Sequence, residues 1–130
     1  MHWNQDYGKF SNVMGESSYN SKLRFLENPD VVHEDGYLAF ASALWVYMTP
    51  EDPRPSMHDV MTGFFQPNEA DIESGITTGS FGTTINVIAG PGECGQTPEN
   101  PQAAKRASYF ANFLAEFGLE PTNEDAGCSG

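Results

Sequence analysis

Basic residues are scarce in this chain. Six Lys and Arg stand against eighteen Asp and Glu, for a formal net charge of −12 across 130 residues. Nucleic-acid binding rests on clustered cations that displace counterions from phosphates, so that class of partner is excluded. Anionic membrane surfaces are disfavoured on the same ground, and no apolar run approaches the length of a spanning helix. A neutral polymer such as a polysaccharide remains compatible with this charge. Internal repeats, low-complexity tracts and an interdomain linker are also missing. Residues 1–130 therefore read as at most one domain, large enough to bury a core. The start, Met1-His2-Trp3-Asn4, has no basic patch followed by an apolar stretch, so any export signal is expected upstream of it.

Cysteine is nearly absent. Cys94 and Cys128 are either unrelated thiols of a reducing compartment or one bridge of a secreted protein. Such a bridge would close a loop of about 35 residues, worth roughly 4 kcal/mol on the chain-entropy model. The residues themselves leave both alternatives open.

What is present is apolar and aromatic. Hydrophobic residues make up 38% and aromatic residues 12% of the chain, too much for a solvated tail. Residues 1–19, with Tyr7-Gly8 and Gly15-Glu16-Ser17-Ser18, read as irregular. A short helix is expected from Asn20 to Glu27, ending before Asn28-Pro29. The strongest helix is expected from Glu34 to Met48. Its Tyr37, Phe40, Ala41, Leu44, Trp45 and Met48 recur at three-and-four spacing, the pattern of a core-facing stripe. Pro50 ends it, and Ser56 reads as the N-cap of a short helix through Met61.

Glu69-Ala70-Asp71-Ile72 after Pro67-Asn68 resembles another helix start. Thr83 to Ile88 is ambiguous, because its β-branched residues favour a strand. A last helix is expected from Pro101 to Phe117, with Phe110, Phe113, Leu114 and Phe117 on the core side and Gly118 as C-terminal cap. The result is a mainly α chain with long Gly- and Pro-rich connections.

Several motifs, in order and spacing, carry a family resemblance. They are Asn28-Pro29-Asp30, Ala43-Leu44-Trp45, Met48-Thr49-Pro50, Pro55-Ser56, His58-Asp59-Val60, Glu93-Cys94-Gly95 and Arg106. Together they resemble the C-terminal half of a glycoside hydrolase family 19 (chitinase) catalytic domain, from Trp3-Asn4 to Cys128. The resemblance implies a partial lysozyme-like helical fold, in which two lobes flank a sugar cleft. It also implies inverting hydrolysis of β-1,4-linked N-acetylglucosamine polymers, with chitin or a related polysaccharide as partner, no cofactor and an extracellular location. It favours pairing of Cys94 with Cys128, and an α-helix rather than a strand over Thr83 to Ile88.

Inverting chemistry needs a protonated carboxylic acid and, roughly 6.5 to 9.5 Å away, a carboxylate that activates water. In the family both are glutamates that precede the stretch beginning at Met1. No catalytic residue is therefore expected in this chain, and the chain alone is expected to be inactive. The implied substrate-binding positions are His2, Trp3, Gln5, Asp6 and Tyr7. They are altered: His2 stands where the family has a water-holding serine, and Gln5 and Asp6 stand where it has a sugar-contacting tyrosine and asparagine. Ala89 replaces the asparagine of the usual Asn-Gly-Gly turn, which Pro91 changes further. Glu93 and Arg106 match the charged network that supports one catalytic glutamate.

Other chemistry finds less support. Glu34-Asp35, Glu51-Asp52 and Glu69-Asp71-Glu73 read as solvated helix starts and turns, since nothing pairs them with an apolar pocket. His33-Glu34 and His58-Asp59 lack further ligands at zinc spacing, and no nucleophile elbow is present. His58 reads as structural, beside the Ser56 cap. Trp45 reads as core, whereas Trp3 and Tyr7 are candidates for stacking on sugar rings. Two alternatives stand beside a chitinase half: a non-catalytic carbohydrate-binding or structural protein, and an enzyme acting on peptidoglycan. Loss of the partnering lobe also predicts exposed apolar surface and self-association.

Overall fold

The computed structural model describes residues 4–16, 25–73, 76, 79–120 and 127–128. Among these the chain is mainly helical, and its one β feature is an isolated bridge between Glu51 and Arg54. The chain divides into two compact units, Met1–Met48 and Thr49–Gly130.

In the first unit, α1 spans Asn4–Glu16, where an irregular segment was expected. The reason is tertiary. Tyr7, Phe10 and Met14 follow helical spacing; Phe10 and Met14 are buried, and Tyr7 packs on the same cluster. Burial of that stripe outweighs the weak propensity of the glycines and polar residues around it. The Phe10 ring stacks on Phe25 at 5.2 Å and lies 5.7 Å from Trp45. The Ser11 hydroxyl accepts the Phe25 N–H at 3.1 Å. Of the helix expected over Asn20 to Glu27, residues 20–24 lie outside the described residues, and 25–27 form a turn.

The long helix expected from Glu34 to Met48 is α3, which starts at Gly36, and a separate short helix, α2 (Val31–Glu34), precedes it. Asp35 separates them. Its backbone is extended, with φ −101° and ψ 114°, and its Oδ1 accepts the N–H groups of Tyr37 at 2.9 Å and Leu38 at 3.1 Å. An aspartate in that role ends one helix and caps the next.

The expected core stripe of α3 is also corrected. Leu38 is buried, and Ala41 and Trp45 pack against the Phe10 cluster. Tyr37, Phe40, Leu44 and Met48 instead face solvent, with Phe40 70% exposed. The thirteen residues of α3 include no charge, and Ser42 turns its hydroxyl back to the Ala39 carbonyl at 2.8 Å. A helix that is apolar nearly all round does not announce its buried side by periodicity.

In the second unit, Ser56 caps α4 (Met57–Met61) as expected, its hydroxyl accepting the Asp59 N–H at 3.0 Å. Helix α5 (Glu69–Glu73) opens with a reciprocal box. Asn68 Oδ1 accepts from the Asp71 N–H at 3.0 Å, and Asp71 Oδ2 accepts from the Asn68 N–H at 2.9 Å. Residues Phe81–Ala89 form α6, as the family resemblance implied and against the strand favoured by β-branching. Buried Thr84 satisfies its hydroxyl on the Phe81 carbonyl at 2.7 Å, so the helix buries no unpaired oxygen there.

Gly82 permits a close approach. A Cβ at this position would overlap the Gly127 carbonyl, and the Cys94–Cys128 disulfide ties the same C-terminal segment to the unit's core. That core gathers Ile85, Cys94 and Ala103, with Phe81 and Cys128 against them.

Helix α7 spans Pro101–Glu116, with Asn100 as N-cap and proline in its first turn. Gly118 ends it at φ 69°, its N–H on the Ala115 carbonyl and the Leu119 N–H on the Leu114 carbonyl, a Schellman arrangement. Phe110 does face inward, stacked on Phe81 at 4.2 Å. Phe113 and Phe117 do not; both are exposed, which corrects the expected core side of this helix.

Candidate functional site

Glu93 and Arg106 come together although thirteen residues separate them. Arg106 lies on α7, one turn beyond buried Ala103, and Glu93 directly follows the 3-10 turn Gly90–Gly92 at the end of α6. The guanidinium Nε donates to Glu93 Oε2 at 2.8 Å, and an Nη donates to Oε1 at 3.1 Å. This is the two-pronged arrangement that only arginine offers a carboxylate. Hydrogen bonding to Glu93 raises the Arg106 pKa above its ordinary value; desolvation opposes this, and the charge of Glu93 adds to it. The Glu93 side chain is 16% exposed, so a carboxylate is held in fixed orientation at the edge of the protein.

The turn carrying Glu93 is held from three sides. The N–H groups of Glu93 and Cys94 both reach the Gly90 carbonyl, at 3.1 and 3.0 Å. Gln96 Nε2 donates to the carbonyls of Pro91 and Gly92, and Asn100 Nδ2 donates to Gly92 and to Gln96 Oε1. Arg54 Nη1 donates to the Val87 carbonyl at 2.9 Å, a cation at the negative end of α6. Proline at position 91 thus sits in a 3-10 turn whose free carbonyls are answered by side-chain amides. Ala89, where the resemblance implied an asparagine, is half-buried at the end of α6.

The remaining candidate positions belong to the first unit. His2 and Trp3 lie outside the described residues. Gln5, Asp6 and Tyr7 fall on the first turn of α1, Gln5 exposed and the other two half-buried. Tyr7 packs against the Phe10 cluster, so at least part of its ring serves the core.

The carboxylates weighed as alternative catalysts have structural roles or lie open to water. Asp35 and Asp71 cap helices, Glu51 pairs its backbone with Arg54, and Glu34, Asp52, Glu69 and Glu73 are exposed. His33 is exposed on α2. His58 lies within α4, where its carbonyl accepts the N–H and hydroxyl of Thr62, both at 2.9 Å.

Sequence reasoning missed Arg54, Gln96 and Asn100 as the residues that fix the Glu93 turn. Pro101 signalled a helix start without its Asn100 cap, and nothing in the sequence tied Arg54 to a carbonyl 33 residues away.

The family model for class I chitinases, glycoside hydrolase family 19, matches residues 1–128. An endochitinase of Carica papaya is 39% identical over 121 residues, covering 93% of this chain and 46% of the relative. Endochitinase A2 of Pisum sativum is 36% identical over 117 residues, covering 90% and 33%, respectively. Endochitinase CH25 of Brassica napus is 34% identical over 119 residues, covering 92% and 34%. The chain therefore spans less than half the length of these relatives. With residues 1–128 of its 130 matched, the chain belongs to the class I chitinase family, glycoside hydrolase family 19.

Proposed function

We propose that this chain is the supporting half of a chitin-hydrolysing domain. It holds the oriented Glu93–Arg106 pair and the helical frame beneath a sugar cleft. The acid that protonates the leaving oxygen and the carboxylate that activates water come from elsewhere than its own carboxylates. The observation that carries this reading is the bidentate pair at 2.8 and 3.1 Å, on a turn braced by Gln96 and Asn100, with Arg54 on the end of the helix that precedes it. Such bracing is more than a surface ion pair requires. It is what a catalytic carboxylate needs beneath it to be presented at a fixed angle.

The polymer is β-1,4-linked N-acetylglucosamine, by kinship with endochitinases and by the chain's charge, which suits a neutral ligand. No helix among the described residues is long and apolar enough to cross a membrane. The disulfide favours an oxidising compartment, and we place the protein outside the cytosol.

The test is a hybrid. This chain replaces the matching stretch of the papaya endochitinase, and hydrolysis of colloidal chitin is followed. The expected result is measurable turnover below that of the parent, since His2, Gln5, Asp6 and Ala89 depart from the family pattern. The hybrid carrying Arg106→Ala should lose most of what remains. A folded hybrid without turnover, or one indifferent to Arg106→Ala, contradicts the reading. A second reading, a carbohydrate-binding protein without catalysis, is motivated by the same four departures. It is favoured if the hybrid binds chitin oligomers and cuts none.

A further inference from the structure

Cys94 ties Glu93 to the interior of the second unit, and Cys128 is its partner there. Glu93 and Cys94 are consecutive, and their N–H groups share the Gly90 carbonyl. On its outer side the turn is held by Gln96 and Asn100, whose bonds to the carbonyls of Pro91 and Gly92 are exposed. Water competes for such bonds, so they set the shape of the turn more than its place on the protein. On the inner side Cys94 is buried with Ile85 of α6 and Ala103 of α7, and Cys128 packs against the same group. Ala103 lies one helical turn before Arg106. Residues 127 and 128 grip this place at three points. The Cys128 sulfur is bonded to Cys94, the Cys128 carbonyl accepts the Gly95 N–H at 2.9 Å, and the Gly127 carbonyl lies where a Cβ of Gly82 would stand.

We propose that Cys128 is a positioning residue for Glu93. It acts through Cys94 and holds the Glu93 carboxylate in register with the Arg106 guanidinium. A two-pronged pair needs such a hold more than a single contact does, because both bonds close only while the two planar groups stay aligned. A shift of about 1 Å in the plane of the carboxylate keeps one bond and stretches the other beyond hydrogen-bond length. Arg106 is fixed by α7 and its buried Ala103, whereas Glu93 follows a short 3-10 turn and depends on the anchor beside it. For its consequence the proposal rests on the supporting role argued above: a loosened anchor lets the support beneath a catalytic carboxylate turn away.

The path from bridge to pair is short. One peptide bond separates Cys94 from Glu93, and one helical turn separates Ala103 from Arg106. The Ser56 cap of α4 lies in the same unit and shares none of these links. A displacement at the sulfurs therefore reaches the pair before it reaches the cap. That difference separates a local hold on Glu93 from a bridge that merely staples the unit.

The test is nuclear magnetic resonance on the whole chain, oxidised and reduced, well below its melting transition. A dithiol opens the bridge: the S–S bond breaks, each sulfur takes up one electron and one proton, and the dithiol becomes a disulfide. The Arg106 Nε–H signal, identified by its loss in Arg106→Ala, stands apart from that of free arginine while the pair is closed. Reduction should cut the ratio of closed to open pair about fivefold, read as movement of this signal toward the free position. The Asp59 N–H signal, capped by Ser56, should stay in place. Gly82→Ala displaces the Gly127 carbonyl and leaves the sulfurs bonded, and it should move the Arg106 signal in the same direction. Failure of either change to move that signal overturns the proposal. So does a shift that Asp59 shares, or unfolding on reduction, for the bridge is then a general staple. This readout needs no turnover; a hybrid that cuts no chitin counts against the supporting role instead.

Discussion

Replacing Arg106 with alanine removes both hydrogen bonds to Glu93 and leaves a mostly buried carboxylate without its guanidinium. Because the arginine itself is more than a third exposed, solvent screens the pair, and the expected loss of stability is only about 1 kcal/mol. Chemical denaturation of the two proteins measures it. Lysine should not restore the full effect, since it offers one point charge where two parallel donors are needed. The raised pKa of Arg106 stabilises the folded state at all pH values below arginine's ordinary range and is lost only as pH rises through the folded value. The arginine side of the pair therefore brings no pH dependence near neutrality. Ser56→Ala is the more damaging change. It deletes a buried cap oxygen and strands the Asp59 N–H, for a loss of about 1 to 2 kcal/mol in the same measurement.

At the scale of elements, the legible parts of the sequence were those with local chemistry. Ser56 and Gly118 mark helix ends by hydrogen bonds that close within a few residues, Pro101 marks a start by its fixed backbone, and each does so in the structure. Helix α1 and the split at Asp35 were not legible. The stripe Tyr7, Phe10, Met14 has meaning only once Phe25 and Trp45 arrive, and Asp35 read as an ordinary acid until its Oδ1 took two backbone N–H groups. The faces of α3 and α7 were misread for one reason: hydrophobic spacing shows that a stripe exists, not which stripe is covered.

The second unit's elements are joined by the disulfide and by Gly82, which gives two tests. Reducing Cys94–Cys128 frees a loop spanning 34 positions, and the melting transition should fall by the equivalent of roughly 4 kcal/mol. Gly82→Ala should cost about 1 to 3 kcal/mol with the bridge intact, because the methyl overlaps the Gly127 carbonyl and the C-terminal segment must shift. A neutral Gly82→Ala would mean that this contact does not exist in solution.

For the whole molecule, the outer row of α3 and the net charge act in opposition. Tyr37, Phe40, Leu44 and Met48 form an uncharged apolar face of the kind that drives association, while two copies at −12 each repel. Self-association is expected to be weak at low ionic strength and stronger in salt, which screens the repulsion without weakening apolar contact. Light scattering across a salt series checks this, and Phe40→Glu/Leu44→Glu should hold the chain monomeric throughout.

The central proposal concerns where the chemistry resides: that the frame and the Glu93–Arg106 pair of this chain support a proton donor and a water-activating carboxylate that are not among its own side chains. Release of reducing ends from colloidal chitin by the purified 130-residue chain tests it most directly. The account predicts release no greater than in buffer at any pH, with the protein folded throughout. Sustained turnover that is abolished by removing one of the chain's own carboxylates would contradict it.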